Sequence, residues 1–430
     1  MTTTVERPRS RPSRRLAVST NGKWSLALLV VAAFGFYFYE TLLPQLTDGF
    51  NSGVQDWAPI STINDCLVLA IMALGLNVVV GYAGLLDLGY VAFWAIGSYV
   101  GAWLMSTFWF QIKDGFSVGS VPGVSKQAGI HLNFWAVLVI GGLVCGVFGI
   151  LLGAPTLRLR GDYLAIVTLG FGEIVPEFFR NGDNIGGHNI TNGTRGINPV
   201  DPINTTPLNS VGFPDQLGLG VVALPYLYLI LCGLVAICLF VSLRIRSGRL
   251  GRSWLAIRED ELAANMMGVS LVRSKLSAYA VGAMFGGLGG VAYSETVGGA
   301  LPDSFSFAQS IFVLIMVVLG GMGNVWGVLV GAVVLDWINR DGLVRLGHVY
   351  NTTFDQHIQI EKYTFLVFGI ILVLMMLFRR EGLLPERRTR QIMNEPSRTE
   401  MESIGADVEG AQEVEGVSAE DAARSTENLG

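Results

Sequence analysis

Charge, histidine and cysteine are scarce in this 430-residue sequence, and each shortage removes a class of function. Only 15% of the residues are charged, against about 25% in an ordinary soluble domain, so a water-facing globular surface is excluded for most of the chain. The four histidines (His131, His188, His348 and His357) fall between apolar runs without metal-ligand spacing, and are expected to be solvated. The four cysteines (Cys66, Cys145, Cys232 and Cys238) lie singly in apolar runs with no CxxC, and are read as small buried residues. There is no HExxH, and neither GxxxxGKS nor GxxxxGKT; the one GxSxG match, GFSVG at 115–119, is not read as a nucleophile elbow. The chain is therefore expected to be no enzyme, with no metal and no cofactor of its own. Any ATP that powers it is to be bound by other subunits.

What is abundant is apolar: 51% of the residues are hydrophobic and 54 are glycine, the small residue through which membrane helices pack closely. Apolar runs occupy 24–43, 59–80, 88–109, 134–153, 163–179, 223–243, 276–297, 307–338 and 363–378. The first is too long for the core of a signal peptide and lacks a small-residue cleavage site, so it reads as an uncleaved span. The run 307–338 is too long for one crossing and is broken at Gly320-Gly321-Met322-Gly323-Asn324. Counting it as two gives about ten spans.

The basic residues support that count. Segments 1–23, 154–162, 244–275 and 379–430 hold six, two, seven and seven Lys/Arg of the 29, which places them in the cytoplasm by the positive-inside rule, with both termini. Arg340, Arg345 and Lys362, in one predicted outer loop, run against it. The basic tail 1–23 and the acidic tail 380–430 read as disordered. The outer segment 180–222 is rich in Asn, Gly, Pro and Thr and reads as a turn-rich loop.

One charged segment stands apart. Residues 251–275 carry Arg258, Glu259, Asp260 and Glu261 between two spans, where hydrocarbon would charge about 2.5–3.5 kcal/mol per central ion. Leu255, Leu262, Met266 and Val269 recur at helical spacing and Gly268 offers a stop, so a short amphipathic helix at the membrane face is predicted. Such a helix suits docking of a soluble partner. Two spans also carry polar interruptions. In 75–104, glycines that include Gly81 and Gly84 sit beside Asn77 and Asp87 and predict a broken helix. In 157–181, Gly170, Gly172 and Pro176 are expected to interrupt the span around Glu173 and Glu177. An ionisable group at membrane depth suggests function, but Asp87 serves equally as the cap of a half-helix starting at Leu88, and Glu177 as a solvated surface group.

Four stretches carry a resemblance: GLNVVVGYAGLLDLGYVAFWAIGSY at 75–99, LRGDYLAIVTLGFGEIV at 159–175, GRSWLAIREDELAANMMGVSLVRSKLSAYAVGAMFGGLGG at 251–290, and VVLGGMGNVWGVLVGA at 317–332. In this order they resemble LivM, the permease family of the high-affinity branched-chain amino acid ABC transporters, over 59–378. The fold implied is an all-α integral membrane protein: a polytopic bundle of about ten transmembrane helices, some broken or short, with a cytoplasmic coupling helix. The segment 251–275 resembles the EAA loop of ABC importers. Ala263, Ala264 and Gly268 keep its spacing, whereas Leu262 stands where a glutamate is usual and Glu261 precedes it. The resemblance assigns Arg258, Glu259, Asp260, Glu261, Ala263, Ala264 and Gly268 to ATPase coupling, and charge reversal at Arg258 or Glu261 should abolish it. Asn77, Gly81, Gly84, Asp87 and Glu173 become candidates for the translocation pathway. The implied partners are a LivH-type second permease, two ABC ATPase subunits, an extracytoplasmic substrate-binding protein and membrane lipid, with no nucleic acid. The implied location is the bacterial inner membrane. A urea, amide or other amino acid permease is the alternative within the family, and an ion-coupled carrier or channel the alternative outside it.

Overall fold

A chain that crosses hydrocarbon must satisfy every backbone N–H and C=O internally, and the apolar runs accordingly fold as helices. The computed structural model describes residues 33–39, 57–111, 117–119, 129–156, 162–205, 214, 216–217, 223–354, 360–379 and 382–384. All of them belong to the unit 1–384; the second unit, 385–430, lies outside the described residues, as do the tail 1–23 and His357.

The helices are α1 (Ile60–Leu76), α2 (Val91–Leu104), α3 (Phe134–Thr156), α4 (Asp162–Arg180), α5 (Leu224–Ser247) and α6 (Arg249–Glu259). They continue with α7 (Glu261–Met266), α8 (Leu271–Val297), α9 (Phe307–Gly320), α10 (Val325–Trp337), α11 (Leu343–Phe354) and α12 (Thr364–Phe378). Each predicted span after the first holds a helix, 307–338 holds two, and the first span is helical over 33–39. Five segments (60–82, 134–156, 224–247, 271–297 and 302–320) are long and apolar enough to cross a membrane alone. Between spans lie two small sheets. In one, β3 (Gly129–His131) pairs antiparallel with β1 (Met105–Ser106) and parallel with β2 (Ser117–Val118); in the other, β4 (Ile203–Asn204) pairs antiparallel with β5 (Gln216–Leu217). The chain is a multi-pass all-α membrane protein.

Helix α1 is buried on every side, packed by α5, α8, α9 and α10, while α8 also lies against α2 and α3. Small residues make this possible. A Cβ on Gly97 of α2 would lie 2.7 Å from the Gly287 Cα of α8, and one on Gly287 would lie 2.7 Å from the Cys145 Cβ of α3. Close approach replaces the missing hydrophobic drive between helices in lipid by direct packing. The outward faces are apolar: Val139, Leu143, Val147 and Leu151 of α3 form an exposed stripe, and α12 exposes Phe365, Ile370, Val373 and Leu377.

The structure corrects several expectations. Helix α4 runs without a break through Gly170, Gly172 and Pro176. Gly172 serves instead as a contact, since a Cβ there would stand 2.9 Å from the Gly89 Cα. The segment after α5 is two helices rather than one, because Asp260 leaves the helical conformation and caps α7. Arg340 is no loop charge. It lies on a π-helical turn (Ile338–Gly342) joining α10 to α11, bonded to Asp65 of α1 at 2.9 Å and to Asp336 at 3.1 Å. His131 is buried, with Nδ1 2.7 Å from the Asp201 carboxylate; His188 and His348 are exposed as expected. Burial pushes the Asp201 carboxyl above its ordinary range, and the hydrogen bond from His131 opposes the rise. All four cysteines are free and buried.

Candidate functional site

The α1 helix ends unusually. Past Leu76 it loosens into a π-helical turn, Asn77–Tyr82, and residues 83–90 then run irregularly before α2 begins at Val91. Gly84, with φ +69°, makes the reversal a side chain would resist. Irregular backbone away from water needs partners, and five elements meet this stretch, two through its backbone amides and three through its side chains. The Leu88 amide donates to the Thr168 hydroxyl of α4 at 3.1 Å, and the Val91 amide to the Ser310 hydroxyl of α9 at 3.0 Å. The Tyr90 hydroxyl donates to the Gly282 carbonyl of α8 at 2.7 Å, and the Tyr82 hydroxyl lies 3.2 Å from the Ser242 hydroxyl of α5. The fifth is the turn between α9 and α10, where the Gly323 amide donates to the Asn77 side-chain oxygen at 2.8 Å.

Asn77, Gly81, Gly84 and Asp87 are thus brought together on one broken element. Asp87 does not cap α2. Its carboxylate accepts from the Gly89 amide at 2.9 Å, an Asx-type turn inside the irregular stretch, and it is 1% exposed. Glu173 is not part of this group. It is exposed on α4, one residue beyond the Gly172–Gly89 contact. Glu177 is exposed as well and bonds locally to Arg180 and Asn181.

The 249–266 segment sits beside the same break. Asp260 accepts from the Leu262 and Ala263 amides at 2.7 and 3.0 Å, which sets the first turn of α7. Glu261, in that turn, pairs with Lys275 of α8 at 2.6 Å. Trp254 of α6 is fully buried and its indole N–H donates to the Ser277 hydroxyl of α8 at 3.0 Å. Arg258 turns toward α1, its Nη1 donating to the Gly81 carbonyl. Partial burial pulls its guanidinium below the usual range, with Glu259 opposing. Ala264 is buried, whereas Leu262, Met266 and Met267 are 68%, 82% and 85% exposed. The predicted four-residue stripe is divided: Leu255 lies half-buried on α6 and Val269 half-buried past α7, and only Leu262 and Met266 share a helix, facing outward. Gly268 follows past the helix end, as expected.

Sequence reasoning missed Thr168, Ser310, Tyr90 and the Asp65–Arg340–Asp336 group. Asp65 and Asp336 carried a signal, as ionisable residues within apolar runs, while the hydroxyl partners carried none. Among the described residues no cluster of His, Cys, Asp and Glu is placed to hold a metal ion. What the arrangement offers is mechanical: a discontinuous helix held by polar contacts, beside a short helix pair exposing an apolar face.

No solved structure matches the chain. It is 39% identical over 334 residues to the high-affinity branched-chain amino acid transport system permease protein LivM of Salmonella typhimurium, covering 75% of this chain and 69% of the relative. The LivM of Escherichia coli is 38% identical over the same shares, and a probable LivM of Methanocaldococcus jannaschii is 26% identical over 74% of this chain and 90% of its own length. The model of the family described as branched-chain amino acid transport system permease component matches residues 59–376, a range that holds both the broken helix and the 249–266 segment. With most of its length inside that match, the chain belongs to the branched-chain amino acid transport permease family.

Proposed function

We propose that this chain is the membrane-spanning subunit of an ABC importer that moves leucine, isoleucine and valine into the cell, powered by ATP bound on separate subunits. The observation that carries the reading is the α6–α7 pair. It is fixed to α8 by Trp254 and Glu261 and exposes Leu262, Met266 and Met267 at the end of two spans. An exposed apolar patch beside charged residues calls for a protein cover, here a cleft of an ATPase subunit. Charged Arg258, Glu259, Asp260 and Glu261 then keep the segment out of the lipid, exposed Ala263 and Gly268 let it seat closely, and buried Ala264 seats α7 against its own chain.

In this reading 249–270 and both termini are cytoplasmic, and the loops carrying β1–β5 face outward in the inner membrane. A LivH-type permease completes the pathway and a substrate-binding protein delivers the amino acid to the outer loops. Asn77, Gly81, Gly84 and Asp87 shape the pathway where α1 breaks, and exposed Glu173 lies at its margin. The subunit holds no cofactor. ATP closes the two ATPases, the α6–α7 pairs move with them, and the spans switch the side to which the pathway opens.

The test is uptake of labelled leucine by proteoliposomes containing this chain, its partner permease, two ATPases and the binding protein, with urea and glutamate as competitors. ATP-dependent leucine uptake that vanishes when this chain is omitted, and that neither competitor reduces, is the expected result. ATPase stimulation by a binding protein loaded with another solute, without leucine uptake, would replace the substrate.

A further inference from the structure

The last carbonyls of a helix have no partner within it and carry partial negative charge. At the end of α1 the Val78 and Val79 carbonyls are taken by the Ala83 and Leu85 amides, and the Gly81 carbonyl is taken by the Arg258 guanidinium. The fit is close. A Cβ on Gly84 would stand 2.9 Å from the Arg258 Cγ, so only glycine lets the arginine stem pass. On its other side Gly81 abuts the α9–α10 turn, where an added Cβ would lie 2.7 Å from the Gly323 nitrogen, and Asn77 bonds that same nitrogen at 2.8 Å. Arg258, Gly81, Asn77 and Gly323 therefore form one connected line from α6 to two breaks in the membrane helices.

We propose that Arg258 is an internal transmission strut rather than a contact to the ATPase: it carries displacement of the α6–α7 pair to the end of α1 and, through Asn77, to the α9–α10 turn. The proposal rests on the α6–α7 pair being the ATPase docking element. Trp254 and Glu261 tie that pair to α8, one unbroken helix that would move as a rod. Arg258 alone of these three reaches the discontinuous element, where a small shift changes the course of the chain.

The experiment uses the assembled complex in proteoliposomes with Arg258→Met, Arg258→Lys, Asn77→Leu or Met266→Glu in this chain. It reads the ratio of ATPase subunits co-purified and the leucine taken up per ATP hydrolysed. Arg258→Met and Asn77→Leu should keep the ATPase ratio of the unaltered complex while uptake per ATP falls about tenfold, the scale of losing one hydrogen bond to a charged or buried partner. Arg258→Lys, which retains a cationic donor, should fall between. Asn77→Leu cuts the second link without touching α6, so it tests the line even where Arg258→Met fails to insert. Unaltered uptake per ATP in Arg258→Met or Asn77→Leu would overturn the strut, as would loss of the ATPases in Arg258→Met. Met266→Glu should release the ATPases; their retention would overturn the docking reading itself.

Discussion

Arg340 shows how a single side chain resolves what its neighbours make costly. Asp336 on α10 would be an unpaired charge away from water, with partly exposed Asp65 of α1 close by, and one guanidinium at 2.9 and 3.1 Å serves both. Breaking such a group by removing one partner leaves uncompensated charge, at a cost of about 3–5 kcal/mol. Arg340→Leu should therefore lower the unfolding temperature of the detergent-solubilised protein markedly, and Arg340→Leu with Asp65→Asn and Asp336→Asn should recover part of it. A triple variant no more stable than Arg340→Leu would count against this account. His131 makes the same point outside the spans. Its partner Asp201 is 70 residues away in sequence, so nothing around His131 distinguishes it from a solvated loop histidine.

The elements depend on how closely they approach. Gly287 stands where α2, α3 and α8 meet, its missing Cβ matched by the Cys145 Cβ and the Gly141 carbonyl at 2.7 Å. Gly287→Ala should destabilise by about 1–3 kcal/mol through overpacking, read as a lower unfolding temperature; Gly233→Ala, with open space around it, is the control that should not. Helix α4 shows why breaker residues alone mislead. Gly172 is used for contact with Gly89, and Pro176 costs one hydrogen bond that the remaining turns of a 19-residue helix tolerate. The α9–α10 break behaves as its Gly-rich sequence predicts, and residues 382–384 return to hold it. The Leu383 amide donates to the Leu319 carbonyl at 2.8 Å, and Asn324 donates to the Leu384 carbonyl at 2.8 Å.

Across the whole molecule, the proposed sidedness follows from where the basic residues lie, and it can be tested directly. With the native cysteines buried, a cysteine introduced at Met267 should react with a membrane-impermeant thiol reagent only after the cytoplasmic face is opened. One at His188 should react from outside intact cells. Reversed labelling would invert the topology and, with it, the proposed direction of ATPase coupling.

The sequence by itself determined the class of the molecule, the position of its spans and the family it belongs to. Hydrocarbon permits so few backbone solutions that long apolar runs become helices wherever they occur, and segregated charge marks the ends. It also flagged the break in 75–104, because glycines and a buried carboxylate within an apolar run are costly without purpose. Tertiary structure alone decided which polar groups meet: Arg258 with Gly81, Asn77 with Gly323, Leu88 with Thr168, His131 with Asp201. Each pair joins residues at least 70 apart in the chain, and hydrogen-bond partners at that separation leave no periodicity to read. The outward turn of Leu262 and Met266 was settled the same way, by Asp260 ending α6 and restarting the helix at a new angle.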